Sequence, residues 1–255
     1  MNITLNKGVK MTAKVDLDEG FQAPLCNTLE STNVVILCFD NIHVQSCYTF
    51  NGKLAYLNSA NIAAKRRGLV KYKENLVSVG MGWEGGYLRT FIMQRGENKD
   101  FNWSIIEPNF KYARGGEITG YSLVNVKSSY PGVNEIILLT GGRNIDIIDG
   151  NWKISIMDKV YLFSDNSWYF WGMMRSPRFD HKSIYWNGAV YFIGGYSGKF
   201  DDSSPSKDVG LPMEIWNIID SPITDWFQTT VNWPWLFTWT DPHLFIVPDS
   251  FFPDR

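Results

Sequence analysis

Net charge, histidine and cysteine are all scarce in this sequence. Its 24 basic and 26 acidic residues nearly cancel, so the chain has no electrostatic footprint for nucleic acid or for an anionic membrane surface. No apolar run approaches the roughly 20 residues that cross a bilayer, the longest being residues 34–39 and 135–139. The first twenty residues alternate polar and apolar positions and lack the continuous hydrophobic stretch of a secretory signal. The expected compartment is cytoplasmic if the chain is complete and extracellular if a leader precedes it.

Only three histidines are present, His43, His181 and His243, far apart in the chain. The three cysteines, Cys26, Cys38 and Cys47, are separated by eleven and eight residues. Zinc sites use closer pairs with further Cys or His, so neither a metal site nor a cofactor is expected. The cysteines read either as buried or free thiols on strands, or as one disulfide with a thiol left over. No serine nucleophile elbow occurs. The glycine-rich Gly80–Gly86 runs into the strand-like YLRTFIM and not into a helix that could present its N-terminus to phosphate.

What the chain does have is aromatic and turn-forming residues: 15% aromatic, 11 Trp, 22 Gly and 11 Pro. That profile fits many short strands joined by turns, hence an all-β fold. Strand patterns recur in groups of four. The first group, residues 24–62, holds CNTLES, NVVILCFD, QSCYTF and KLAYLN, with Asn51-Gly52 as a tight hairpin signal. Residues 63–110 hold GLVKYK, NLVSVGMG, YLRTFIM and NWSIIEP, preceded by Lys65-Arg66-Arg67, which reads as a solvated turn. Residues 111–175 hold EITGYSLVNVK, NEIILLTGG, DKVYLFS and SWYFWG. The clearest group, 176–230, opens with RFDHKSIYWNGAVYFIGGY, two strands around Asn187-Gly188, and continues with MEIWNII and ITDWFQTT.

Three groups align as an Arg (Arg67, Arg114, Arg178), a hairpin closing on glycines (Gly80 and Gly82, Gly141 and Gly142, Gly194 and Gly195), a polar insert, a third strand and a Trp (Trp103, Trp168, Trp226). Such a period belongs to architectures that stack small antiparallel sheets because no single sheet covers both its faces. On these residues the chain resembles the kelch repeats, most closely through Arg178, His181, Gly188, Tyr191, Gly194, Gly195 and Trp226. It departs where Val79-Gly80-Met81-Gly82 replaces adjacent glycines, and the first group keeps only the strand pattern. The resemblance implies a single β-propeller over residues 1–255, of about five four-stranded blades. The last blade would be built from both chain ends, residues 1–23 and 231–255.

A propeller hosts many unrelated activities, so function has to come from sites. The kelch-type copper radical oxidases need a Cys–Tyr cross-link and paired histidines, which this sequence lacks. A propeller glycoside hydrolase, the alternative reading, would need carboxylates such as Glu214, Asp241 and Asp40 to converge within about 5–10 Å. The leading expectation is a non-enzymatic module that binds a protein or peptide through loops on one propeller face. The two longest loops, Arg143 to Ile154 and Ser197 to Gly210, nominate Arg143, Asn144, Asp146, Ser197, Lys199, Asp201, Asp202 and Lys207 as contact residues.

Overall fold

A computed structural model describes residues 2–5, 9–12, 25–29, 34–40, 45–50, 54–60, 64–73, 75–82, 88–95, 101–106, 117–127, 135–149, 151–197, 209–211, 213–217 and 227–231. Every regular element among them is a β-strand, as the composition implies. The chain divides into two compact units, residues 1–107 and 108–255.

In the first unit, β1 (Asn2–Leu5) and β2 (Val9–Thr12) form an antiparallel hairpin. A four-stranded sheet follows, of β3 (Leu25–Leu29), β4 (Val34–Asp40), β5 (Gln45–Phe50) and β6 (Leu54–Ala60), paired in sequence order. A second has β7 (Ala64–Tyr72), β8 (Asn75–Gly82), β9 (Leu88–Arg95) and β10 (Phe101–Ile106). Its middle strands bury Leu76, Val77 and Val79 of β8 and Phe91, Ile92 and Met93 of β9, whereas Ile105 on the outer β10 is exposed. This gradient is what a sheet covered on both faces requires of its interior strands. Lys65-Arg66-Arg67, expected as a turn, lies within β7 instead, where pairing to β8 continues through an irregularity between Lys65 and Gly68. Three cations do not end the strand, whose pairing to β8 resumes at Gly68.

The second unit repeats the four-strand plan twice, each time interrupted. Here β11 (Glu117–Thr119) and β12 (Ser122–Val126) come from one stretch, EITGYSLVNV, broken at Gly120 with φ +66°. The chain continues through β13 (Ile136–Thr140), β14 (Arg143–Ile148), β15 (Asn151–Ile156), β16 (Lys159–Ser164) and β17 (Ser167–Met173). The sheet is β12-β13-β16-β17, while β11-β14-β15 form a separate three-stranded sheet. The last group has β18 (Lys182–Trp186), β19 (Ala189–Ile193), β20 (Tyr196–Ser197), β21 (Val209–Gly210), β22 (Met213–Asn217) and β23 (Phe227–Val231). Its sheet is β18-β19-β22-β23, with β20 and β21 paired apart from it.

All four expected groups are thus four-stranded antiparallel sheets; the Asn187-Gly188 hairpin signal acts as expected, and Asn51-Gly52 lies outside the described residues. Asn187 and Gly188 have φ +48° and +75°, the left-handed pair that a two-residue turn between twisted strands demands. Asp165 and Asn166, at +49° and +61°, do the same between β16 and β17. The half-blade expected from residues 1–23 contains the β1–β2 hairpin. Its complement in 231–255 lies outside the described residues apart from Val231, and so does closure by both chain ends.

The core of the second unit sits between its two four-stranded sheets. Val124, Val126, Ile136, Leu138 and Val160 of one sheet meet Val190, Phe192 and Trp216 of the other, with Met174 between them. The Phe192 and Trp216 rings pack edge to face at 5.2 Å between centroids. Trp216 also lies against Gly172 of β17, where an added Cβ would stand 3.3 Å from the indole.

Candidate functional site

Gly141-Gly142 and Gly194-Gly195 each follow the second strand of a sheet and start a further layer of pairing. Beyond Gly141-Gly142, Arg143 pairs with Thr119 of β11; beyond Gly194-Gly195, Tyr196 bridges Phe179. These are the same place in the two groups. Ser122 pairs with Thr140 just before one diglycine and Lys182 with Ile193 just before the other, so Thr119 and Phe179 each stand three residues ahead. Backbone bonds stitch the two layers together: the Gly142 amide donates to the Arg178 carbonyl (2.8 Å), the Arg178 amide to the Met157 carbonyl (3.2 Å) and the Asp180 amide to the Gly120 carbonyl (2.7 Å).

The insert between Arg143 and Ile154, expected as a loop, is a β-hairpin. Arg143 to Ile148 pairs with Asn151 to Ile156 in continuous register. Asp149-Gly150, flanked by alternating residues, is the sequence signal for it; the left-handed Asp149, φ +52°, sits in the two-residue gap. In the next group only the ends of the Ser197 to Gly210 segment are described, and they are held together as Ser197 opposite Val209.

The nominated contact residues therefore divide. The Nε of Arg143 donates to Thr119 Oγ1 (2.8 Å), and its guanidinium lies 5.2 Å from the Phe179 ring centre. Asn144 is buried; both are at the root of the hairpin. Asp146 is on β14 and Ser197 on β20. Lys199, Asp201, Asp202 and Lys207 lie outside the described residues. Phe179 was not singled out by the sequence, yet it ties the two inserts together. Arg143 covers its ring, and Tyr196 packs against it at 5.7 Å between centroids. Among the hairpin residues whose side chains are described, Ile148, Asp149, Asn151, Lys153 and Ser155 are exposed.

Beneath this rim Arg178 and Glu214 form a fully buried ion pair, Nη2 to Oε2 at 3.3 Å. Nη1 of Arg178 donates to the carbonyls of Gly194 (3.1 Å) and Phe192 (3.4 Å). Glu214 Oε1 accepts from the Arg175 amide (2.9 Å) and the Trp216 indole (2.8 Å). Burial lowers the Arg178 pKa from its ordinary value while Glu214 holds it up. Both Glu214 oxygens are thus engaged in an interior lattice, which removes this residue from the carboxylates considered for hydrolysis. Asp40 ends β4 in the first unit, and Asp241 lies outside the described residues. Among the described residues no three His, Cys, Asp or Glu side chains group as metal ligands.

His181 is the joint between the two sheets. Its Nε2 lies 2.8 Å from Thr140 Oγ1 of β13, which also meets Ser183 Oγ (2.8 Å) and donates to the Ser122 carbonyl (3.3 Å). With its own proton on that carbonyl, the Thr140 hydroxyl accepts from His181 and Ser183, which assigns the Nε2–H tautomer. Nδ1 is buried with no hydrogen-bond partner among the described residues. Burial pushes the His181 pKa well below 6.5, and the Arg178 and Lys182 charges push it further. Above about pH 6.5 the ring is neutral folded or unfolded. Below that, the unfolded chain takes up a proton that the folded ring refuses, so stability falls with pH until the folded-state value is passed. Urea unfolding from pH 8 to pH 5 should show this loss, and His181→Gln should flatten it; equal pH slopes in the two proteins would remove His181 from the account.

No protein-family model and no curated protein sequence matches the chain. Solved structures do. The structure of YjhT, a kelch-repeat propeller protein, superposes with a TM-score of 0.59 over 88% of this chain and 72% of that one, at 12% identity. The fold is that of a kelch-type propeller. At such identity the likeness concerns the fold alone. The four-stranded sheets are therefore blades, and the diglycine rim is the place where the chain departs from the plain four-strand unit. Among the described residues no helix is long and apolar enough to cross a membrane.

Proposed function

We propose that this chain is a non-enzymatic binding module that recognises a protein or peptide through the rim beyond its diglycines. The observation that carries this reading is the pair of inserts. Two neighbouring blades each add a segment at the same point, and Phe179 joins their roots through Arg143 and Tyr196. A rigid sheet holding variable segments side by side is the usual arrangement of a recognition surface. The hairpin tip offers apolar Ile148 beside polar Asp149 and Asn151, with Lys153 and Ser155 further along β15, a mixture suited to a protein surface more than to a small apolar ligand.

The test exchanges the segments and leaves the blades. One variant shortens residues 146–151 to a Gly/Ser turn, and another replaces residues 198–208 by a Gly/Ser linker. Each should keep the wild-type thermal transition and lose partners captured by the wild-type chain in a pull-down. Ile148→Asp with Lys153→Glu should weaken a captured partner by about tenfold or more, as loss of a central contact does. Folded variants that retain every partner would overturn the assignment.

A further inference from the structure

The three cysteines all fall on one sheet of the first unit: Cys26 on β3, Cys38 on β4 and Cys47 on β5. The register sorts them. Cys38 stands directly opposite Cys47, whereas Cys26 stands opposite Leu37, one residue out of step with Cys38. Three cysteines allow three single pairings, and two are ruled out by backbone position. In an antiparallel ladder a one-residue offset puts two residues on opposite faces of the sheet, which separates Cys26 from Cys38. Strands β3 and β5 both pair with β4, so they run about 9–10 Å apart, past the roughly 7 Å between Cα atoms that a disulfide can bridge. That separates Cys26 from Cys47. Directly opposed residues share a face with Cα atoms about 4.5–5.5 Å apart, inside the range of about 4.4–6.8 Å that disulfides occupy.

We propose that Cys38 and Cys47 are a thiol–disulfide pair across β4 and β5, closed by exchange with a small disulfide of the glutathione type, and that Cys26 stays a thiol. In the first step one cysteine thiolate attacks a sulfur of the small disulfide, forming a mixed disulfide and releasing one small thiolate. The second cysteine, as thiolate, attacks the protein sulfur of that mixed disulfide and releases the other. The two cysteines together lose two protons and two electrons. The electrons reduce the small disulfide to two thiols, which take up the protons. The pair is a standing cross-link in oxidising surroundings and a dithiol where glutathione is kept reduced. The odd count of cysteines then follows from geometry: one has no partner within reach.

The full chain is incubated with millimolar oxidised glutathione, or with reduced glutathione as control, then denatured in N-ethylmaleimide and mapped by mass spectrometry without reduction. Trypsin alone leaves all three cysteines in one peptide, residues 15–53. Cleavage after Glu19, Glu30 and Asp40 as well separates them into 20–30, 31–40 and 41–53. The expected product is 31–40 joined to 41–53 with the loss of two hydrogens, and maleimide on Cys26. Cys26→Ser should give the same link, and Cys38→Ser should retain a glutathione adduct on Cys47. Maleimide on both Cys38 and Cys47 after oxidation, a stable glutathione adduct on either in the wild type, or any link through Cys26 would overturn the proposal. If Cys38→Ser does not fold, the wild-type and Cys26→Ser maps decide it.

Discussion

Replacing Glu214 by alanine should destabilise the second unit by about 3–5 kcal/mol, the usual result of leaving one member of a buried ion pair alone. The mechanism is local. Arg178 would keep its charge in a fully buried site without its counter-ion, and the Arg175 amide and Trp216 indole would lose their acceptor. For a chain of this size that corresponds to a fall of roughly 6–20 °C in the thermal midpoint. Arg178→Met should cost about as much, since it strands the Glu214 carboxylate and removes the donor to the Gly194 carbonyl. The double variant Arg178→Met with Glu214→Met should be less damaged than the two single losses added together, because no charge is then left buried. Urea melts of the four proteins check this; strict additivity would mean that the pair acts independently and is not a clamp.

Gly141→Ala is the second large effect. Gly141 has φ +58°, a conformation that costs a side-chain-bearing residue about 1–3 kcal/mol. An added Cβ would also press on the Arg178 carbonyl oxygen, and would stand 2.8 Å from His181 Cε1 and 2.9 Å from Met174 Cε. That carbonyl is fixed by the Gly142 amide, so the strand leading to β18 has to move, and about 1–3 kcal/mol of overpacking adds to the strain. Gly120→Ala supplies the contrast. Its φ of +66° carries similar strain, but the first atom met is a carboxylate oxygen of Asp180, at the end of a side chain that can turn away, and the nearest backbone atom, the Asp180 nitrogen at 3.0 Å, has to give by only a few tenths of an ångström. Gly141→Ala should therefore lower the urea midpoint clearly more than Gly120→Ala. Equal losses would assign the whole effect to backbone conformation and none to the contact with Arg178.

The strands were legible because their signals are local. Asn187-Gly188 sets a turn by itself, and the alternation in SLVNV emerges directly as alternating burial along β12. Trp103 and Trp168 do hold one position of the repeat: each stands on a fourth strand, opposite Met93 and Phe163 respectively. The same register shows where the alignment misled, at Arg114. Counting four residues back from Ser122 and from Lys182 puts Ile118, and not Arg114, where Arg178 stands in the next blade; Ile118 is likewise fully buried. A guanidinium can be replaced there by an alkyl group because Tyr161, opposite Leu139, takes the position that Glu214, opposite Phe192, occupies in the next blade. Charge was substituted pairwise, which no single column of residue types reveals.

The site was harder to read than the scaffold for a related reason. Arg143 and Asn144 look like loop residues when judged by polarity, yet they start a strand whose partner, β11, lies more than twenty positions upstream. Phe179 looks like an ordinary core aromatic. Its importance depends on Arg143 and Tyr196 arriving on either side of it, and only tertiary structure brings them there. His181 is similar: the sequence placed it in the repeat, but its partner Thr140 belongs to a different blade.

The pinned ends of the two inserts also determine how this scaffold can change. Gly142 is bonded to Met157 at one insert, and Gly195 to Leu211 at the other, so each segment begins and ends at a closed gate. Lengthening a chain whose ends are already held costs little, about 0.6 kcal/mol for each doubling. The diglycine rim is thus the position at which new sequence can be grafted or exchanged without renegotiating the blades beneath it.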